Sequence, residues 1–212
     1  MQFRRIAATL ATLGFAFALS AAPASAHTRT HEPGTRSLAA VLTADGDTFD
    51  RNWNDYDIVT EAVLAVAKAK PGSPVGVLTD GTVPLTAFLP TDRAFRNLVA
   101  DLTGTRYRSE AKVFDALVAA AGVDTIETVL LYHVVPGATI TRKDAVKADG
   151  AVLTTAMGGT ITVDVRAKWL PLVSLVDADT DDRNPWVQRF DINRGNLQIA
   201  HGITAVLRPI DL

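Results

Sequence analysis

Four histidines, no cysteine and several groups of acidic residues are what this chain offers for building a chemical site. His133 and His201 are the histidines with apolar neighbours: one follows Leu130-Leu131-Tyr132, the other sits in Ile199-Ala200-His201-Gly202-Ile203. A ring buried there either hydrogen-bonds backbone groups, tying helix to sheet, or joins a second histidine on a metal. No Asp or Glu stands at ligand spacing beside either ring, so the backbone tie is the expected role. No metal and no other cofactor is assigned. Asp177-Ala178-Asp179-Thr180-Asp181-Asp182 has acids at alternate positions, as a calcium loop begins. The sixth position of such a loop needs glycine and the twelfth a bidentate Glu, where this chain has Asp182 and Gln188. A solvated acidic loop is expected instead. His27, as a free N-terminus after cleavage, would pair amine and imidazole as copper enzymes do, but His31 is too close in sequence to complete that site. Gly-x-Ser-x-Gly, His-Glu-x-x-His and Gly-rich phosphate-loop patterns are missing from the sequence, which gives no lead to an enzyme.

The first residues have a different purpose. Arg4 and Arg5 precede an apolar run from Ile6 to Ala22, and Ala24-Ser25-Ala26 has the small-x-small form of a signal-peptidase site. Residues 1–26 are expected to be a signal peptide and 27–36 a flexible leader. A membrane anchor is the rival, but Thr9, Thr12, Gly14 and Ser20 dilute the run, which is short for a span. With no second apolar run, the mature chain is expected to be secreted, with no membrane span after cleavage. Cleavage removes two arginines and no acid, moving the formal charge below the −2 of the full chain. That balance argues against nucleic acid as a partner. Without cysteine there are no disulfides and no thiolate chemistry, so the core alone must hold the fold.

The elements that position the histidines follow from periodicity. Ser37–Leu42 reads as a short helix, and Asp57 as the cap of a helix running to Ala69. Val75–Leu78 and Thr82–Leu89 read as strands flanking an Asp80-Gly81 hairpin turn. Thr91 is a good N-cap for a helix whose Phe95, Leu98, Val99 and Leu102 share one face. Ser109 opens another helix, closed by Gly122, and Asp124 with Glu127 has the spacing of a capping box. Ile126, Val129, Leu130 and His133 then fall at i, i+3, i+4 and i+7, and Pro136-Gly137 stops the helix. Beyond it lie strands at Thr160–Val165, Leu172–Val176, Phe190–Ile192, Leu197–Ala200 and Ile203–Leu207. Helices early and strands late, without βαβ alternation, predict an α+β fold.

Three separated stretches resemble one family. Leu85-Thr86-Ala87-Phe88-Leu89-Pro90-Thr91-Asp92-Arg93-Ala94-Phe95 is similar to the first conserved box of fasciclin-type domains. Leu130 to Gly137 is similar to their Tyr-His motif, and Ile199 to Pro209 to their closing box. The resemblance covers residues 37–212. It implies a wedge of two β-sheets with a helical layer, and Thr91, Tyr132, His133 and His201 as motif residues. It also implies a non-enzymatic extracellular role, as in cell-surface fasciclins and secreted bacterial relatives. The sequence departs from the family near the closing box, where Gly195-Asn196-Leu197-Gln198 replaces the usual Asn-Gly approach to the histidine and Thr204 replaces an acid.

The leading expectation is therefore a secreted adhesion module contacting an extracellular or cell-surface protein or a polysaccharide. Candidate contact residues are Asp191 and Ile192, which match a family Asp-Ile pair, with Trp186 and Tyr132. Each has a plainer role: Ile192 in the core with Asp191 on the outer face of the same strand, Trp186 pinning its loop, and Tyr132 as a core ring. A second expectation is an extracellular carrier or sensor of a small apolar ligand held between helices and sheets. A secreted hydrolase with an unrecognised site is a third.

Overall fold

The computed structural model describes residues 32–45, 49–166 and 172–210. The expected signal peptide and residues 27–31 of the leader lie outside the described residues. In chain order come α1 (Leu38–Leu42), α2 (Asp57–Ala69), β1 (Leu85–Pro90), α3 (Asp92–Thr103), α4 (Glu110–Tyr132), β2 (Val134–Pro136) and α5 (Arg142–Ala145). Then follow β3 (Val152–Thr154), β4 (Thr160–Arg166), β5 (Leu172–Val176), β6 (Val187–Ile192) and β7 (Gln198–Ile203). The order is α+β, with most helices in the first half and most strands in the second.

The strands form two sheets, one of order β2-β1-β7-β6 and one of order β3-β4-β5. β1 and β7 run parallel, and every other pairing is antiparallel. Every residue of β1 and β7 is buried, because their sheet is covered on both faces. Leu85, Ala87, Leu89 and Ala200 pack with Ile58, Val66, Phe95, Val99, Val113 and Leu130 of the helices. Phe88 and Ile203 face the other way, packing with Ile161, Val163, Val173 and Leu175 of the second sheet. Burying each such Leu, Ile, Val or Phe side chain contributes ~1.5–3 kcal/mol, and the polar residues of these strands, Thr86, Gln198 and His201, are buried with them.

Several local expectations change. Val75–Leu78 is not a strand but part of a 3-10 turn from Pro74 to Thr79 that buries Val75 and Leu78. The edges of β1 are already taken by β2 and β7, leaving no place for a hairpin partner. Asp80 instead closes a tight turn by accepting the amide of Thr82 at 3.1 Å and its hydroxyl at 2.6 Å. α2 begins at Asp57, yet its cap comes from another helix: Asp92 Oδ1 accepts the Ile58 amide at 2.8 Å. Thr91 occupies the N-cap position of α3 without a side-chain cap bond. Asp124 and Glu127 form no capping box and both bind the Lys70 ammonium, tying α2 to α4. Gly122 does interrupt α4, with φ 71° and ψ 164°.

Residues 33–36 are not a free leader. Gly34 donates to Gly195 O at 2.7 Å and accepts from Leu197 N at 2.9 Å, and Arg36 N donates to Asn196 Oδ1 at 2.9 Å. Residues 33–36 therefore belong to the compact unit Pro33–Leu212. Leu197–Ala200 and Ile203–Leu207 are not two strands: β7 runs through Ile203, and the chain then leaves the sheet.

Candidate functional site

The end of α4 carries Tyr132 and His133, and the helical stripe turns both inward. Tyr132 is 1% exposed, and its hydroxyl donates to Thr160 O at 2.8 Å. His133 is 4% exposed. Its Nδ1 lies 2.7 Å from Val129 O, and its Nε2 lies 2.9 Å from the Leu207 amide nitrogen. A carbonyl can only accept and an amide N–H can only donate, so Nδ1 carries the proton and Nε2 accepts. The ring is neutral, and burial pushes its pKa down to about 4. The His133 carbonyl also accepts from Phe88 N at 2.9 Å, so one residue joins α4, β1 and the segment after β7.

His201, on β7, has the opposite tautomer. Its Nε2–H donates to Ile140 O at 2.8 Å, and its Nδ1 accepts the Asp191 amide at 3.2 Å. Phe190 meets the ring edge-on at 5.4 Å, and burial lowers its pKa as well. Each histidine spends both nitrogens on backbone groups, so neither can take a proton or a metal without breaking a tie.

Asp191 and Ile192 do not follow strand alternation. β6 is bulged against β7 between Arg189 and Ile192, and Asp191 lies in the left-handed region at φ 58°. Its Oδ1 accepts the Arg142 amide at 2.7 Å, the first residue of α5. Ile192 is half-buried against the helical core. Trp186 is half-buried too, bridging to Ser174 of the second sheet, with its amide on Thr204 Oγ1 at 2.9 Å and the Arg166 guanidinium 5.3 Å over its ring. Asp191, Trp186 and Tyr132 are thus each tied to a second element of the fold.

The acidic loop after β5 is not a solvated turn. Arg208 lies among its carboxylates: Nη1 reaches Asp179 Oδ2 at 3.2 Å and also Asp182, and the Arg208 amide donates to Asp177 Oδ2 at 2.8 Å. Nη2 reaches Asp101 of α3 at 3.1 Å. Burial pushes Asp179 up, but hydrogen bonds within the loop and the Arg208 guanidinium outweigh it and hold the carboxyl below its ordinary value. Above this floor opens a polar cleft of about 330 Å³, with Asn97, Asp101, Asp182 and Arg183 exposed on its walls. A second, smaller apolar cleft of about 60 Å³ lies between α2, α3 and α4, lined by Phe95, Leu98, Leu102, Leu117, Ile126 and Val129.

Sequence reasoning did not identify one further group. Asp55, Asp92 and Glu110 meet although they come from a loop and the starts of two helices; Asp92 and Glu110 are wholly buried. Burial, with the neighbouring carboxylates, pushes Asp92 up to about 9 and Glu110 up to about 7. The available signal was acid in the first turn of α2, α3 and α4, which one residue at a time reads only as a dipole partner.

Comparison with known proteins places this geometry. The family model of the Fasciclin domain matches residues 60–209. Comparison with the curated proteins found no match. Among solved structures, a FAS1 domain pair from the insect cell adhesion molecule Fasciclin I aligns with a TM-score of 0.53 at 18% identity. That alignment covers 82% of this chain and 51% of the other, so the chain spans about half the length of that structure. At this identity the likeness is one of fold.

Proposed function

The chain belongs to the fasciclin-domain family, and from that premise we propose that it is a secreted, non-enzymatic binding module that contacts an extracellular protein or a polysaccharide. The polar cleft beside Arg208 is the observation that carries this reading. Its floor is the Arg208 guanidinium, ion-paired with Asp101, Asp179 and Asp182, while Asn97 and Arg183 stand exposed on its rim. An amide, a guanidinium and carboxylate oxygens around one concavity suit a partner rich in hydroxyls or charges. The two motif histidines support a binding role rather than a catalytic one, since all four of their ring nitrogens are engaged by backbone groups. Export rests on the charged start, the apolar run and Ala24-Ser25-Ala26. N-terminal sequencing of exported protein should return His27 first; Met1 would reject the signal reading.

The carrier reading keeps one observation in its favour. The apolar cleft is lined almost wholly by apolar side chains, and Leu102 at its mouth is 42% exposed. Its lining is Thr125 and His133 besides apolar side chains, and both His133 nitrogens are already used. A ligand there would be held by apolar contact. Co-purification of a coloured or extractable apolar molecule, lost in Leu102→Arg, would favour this reading over the first.

A further inference from the structure

The Asp55, Asp92 and Glu110 cluster is the feature of this molecule that its ties do not explain. One carboxylate oxygen from each lies within 4.8 Å of the other two. The cluster stands where the 49–56 loop crosses the starts of the helices: Asp92 N donates to Asp55 O at 3.2 Å, and Arg93 N to Trp53 O at 3.0 Å. Part of the capacity of Asp92 and Glu110 is used. Asp92 accepts the Ile58 amide, and Glu110 Oε2 accepts the Asp50 amide at 2.6 Å. Two oxygens are left over. Asp55 Oδ1 and Glu110 Oε1 are buried with no hydrogen-bond partner, and Glu110 is 0% exposed. No Lys or Arg among the described residues forms an ion pair with any of the three.

A buried carboxylate oxygen without a donor is costly, and three acidic groups this close can all ionise only with a cation between them. Other acidic groups in this chain meet that demand with a cation: Arg208 sits inside the Asp177–Asp182 loop, and Lys70 joins Asp124 to Glu127. Here no side chain does so. Oxygen-only ligands select hard divalent ions over zinc or copper, and oxygens within 4.8 Å of one another are close enough to share one ion at ~2.4 Å. Calcium tolerates such an irregular carboxylate set, with water filling the remaining positions, whereas magnesium demands a near-ideal octahedron. Asp50 and Asp57 meet Asp55 in a second acidic group.

We propose that Asp55, Asp92 and Glu110 form a calcium site that fastens the 49–56 loop to the starts of α2, α3 and α4. The ion satisfies the two leftover oxygens and cancels the mutual repulsion of the three groups.

Calcium chloride is titrated into the EDTA-treated full chain while its Tm and heat of binding are followed. The site predicts one ion per chain, a Kd on the order of 0.1–1 mM as in extracellular calcium modules, and a Tm that rises and saturates. Glu110→Gln keeps an acceptor for the Asp50 amide, and it should abolish the calcium response while remaining folded. Asp182→Asn, in the Arg208 loop, should keep the response. Terbium takes the same oxygen ligands, and Trp53 is two residues from Asp55. Terbium emission excited through tryptophan should therefore appear in the unmutated protein and be displaced by calcium, a readout that does not depend on any variant folding. A Tm indifferent to calcium together with absent terbium emission overturns the site. So does a calcium response that persists in folded Glu110→Gln or disappears in Asp182→Asn.

Discussion

His133 accepts the backbone N–H of Leu207 through Nε2 at 2.9 Å while its Nδ1–H is held by Val129 O. This side-chain bond ties the end of α4 to the segment that follows the last strand. It exists only while the ring is neutral.

Acid should therefore loosen this tie in a defined window. The folded-state pKa of about 4 lies below the ordinary 6.5, so the unfolded chain takes up the proton first. The contribution of His133 is complete above pH 6.5, declines as pH falls, and is gone below about 4. Its size is ~3 kcal/mol from the linkage of pKa to stability. NMR of the imidazole should show a ring that stays neutral through pH 5; titration near 6.5 in the folded protein would contradict the assignment.

His201→Ala leaves Ile140 O and the Asp191 amide unpaired next to a void. We expect a loss of ~1–3 kcal/mol from the unmet hydrogen bonds and a further packing loss. Urea unfolding measures it, and an unchanged midpoint would show that the ring does not tie these segments together.

Asp191 gives a sharper contrast between two substitutions. Asp191→Ala removes the acceptor for the Arg142 amide and should cost ~1 kcal/mol. Asp191→Asn keeps an acceptor oxygen and suits φ 58°, since Asn enters the left-handed region readily. It should be close to neutral. Equal losses in the two variants would mean that the charge, not the acceptor, matters. Ile192→Ala should also destabilise, by ~1–3 kcal/mol for a half-buried side chain.

Gly202 has no room for a side chain: a Cβ there would stand 2.0 Å from the Tyr56 hydroxyl oxygen. Gly202→Ala should cost ~1–3 kcal/mol through overpacking. Adding Tyr56→Phe removes the clashing atom and should recover part of that loss. If the double variant is no more stable than Gly202→Ala, the strain lies elsewhere.

Legibility in the sequence followed the physics of each part. The helical faces of α3 and of the end of α4 were readable because one side meets the core and the other does not. β4 was readable for the same reason, with Ile161 and Val163 buried and their neighbours less so. The Asp80-Gly81 turn misled because its residues suit a hairpin, while the partner of β1 comes from β7, far along the chain. The bulge at Asp191 was invisible, since no glycine marks its left-handed residue. Arg208 inside the acidic loop, and the meeting of Asp55, Asp92 and Glu110, depend on contacts between distant segments that no local pattern records.

Binding of an extracellular polysaccharide or surface protein in the polar cleft of this fasciclin domain, as proposed above, can be measured directly. The direct measurement is equilibrium binding of the mature chain, as wild type and as an Asn97→Ala, Arg183→Ala double variant, to purified surface polysaccharides and surface proteins. Both substituted residues are exposed and lie outside the core, so the Tm should not move. The wild type should bind saturably, with an affinity that falls at least tenfold in the variant. Binding that is undiminished in the variant, with an unchanged Tm, would contradict it.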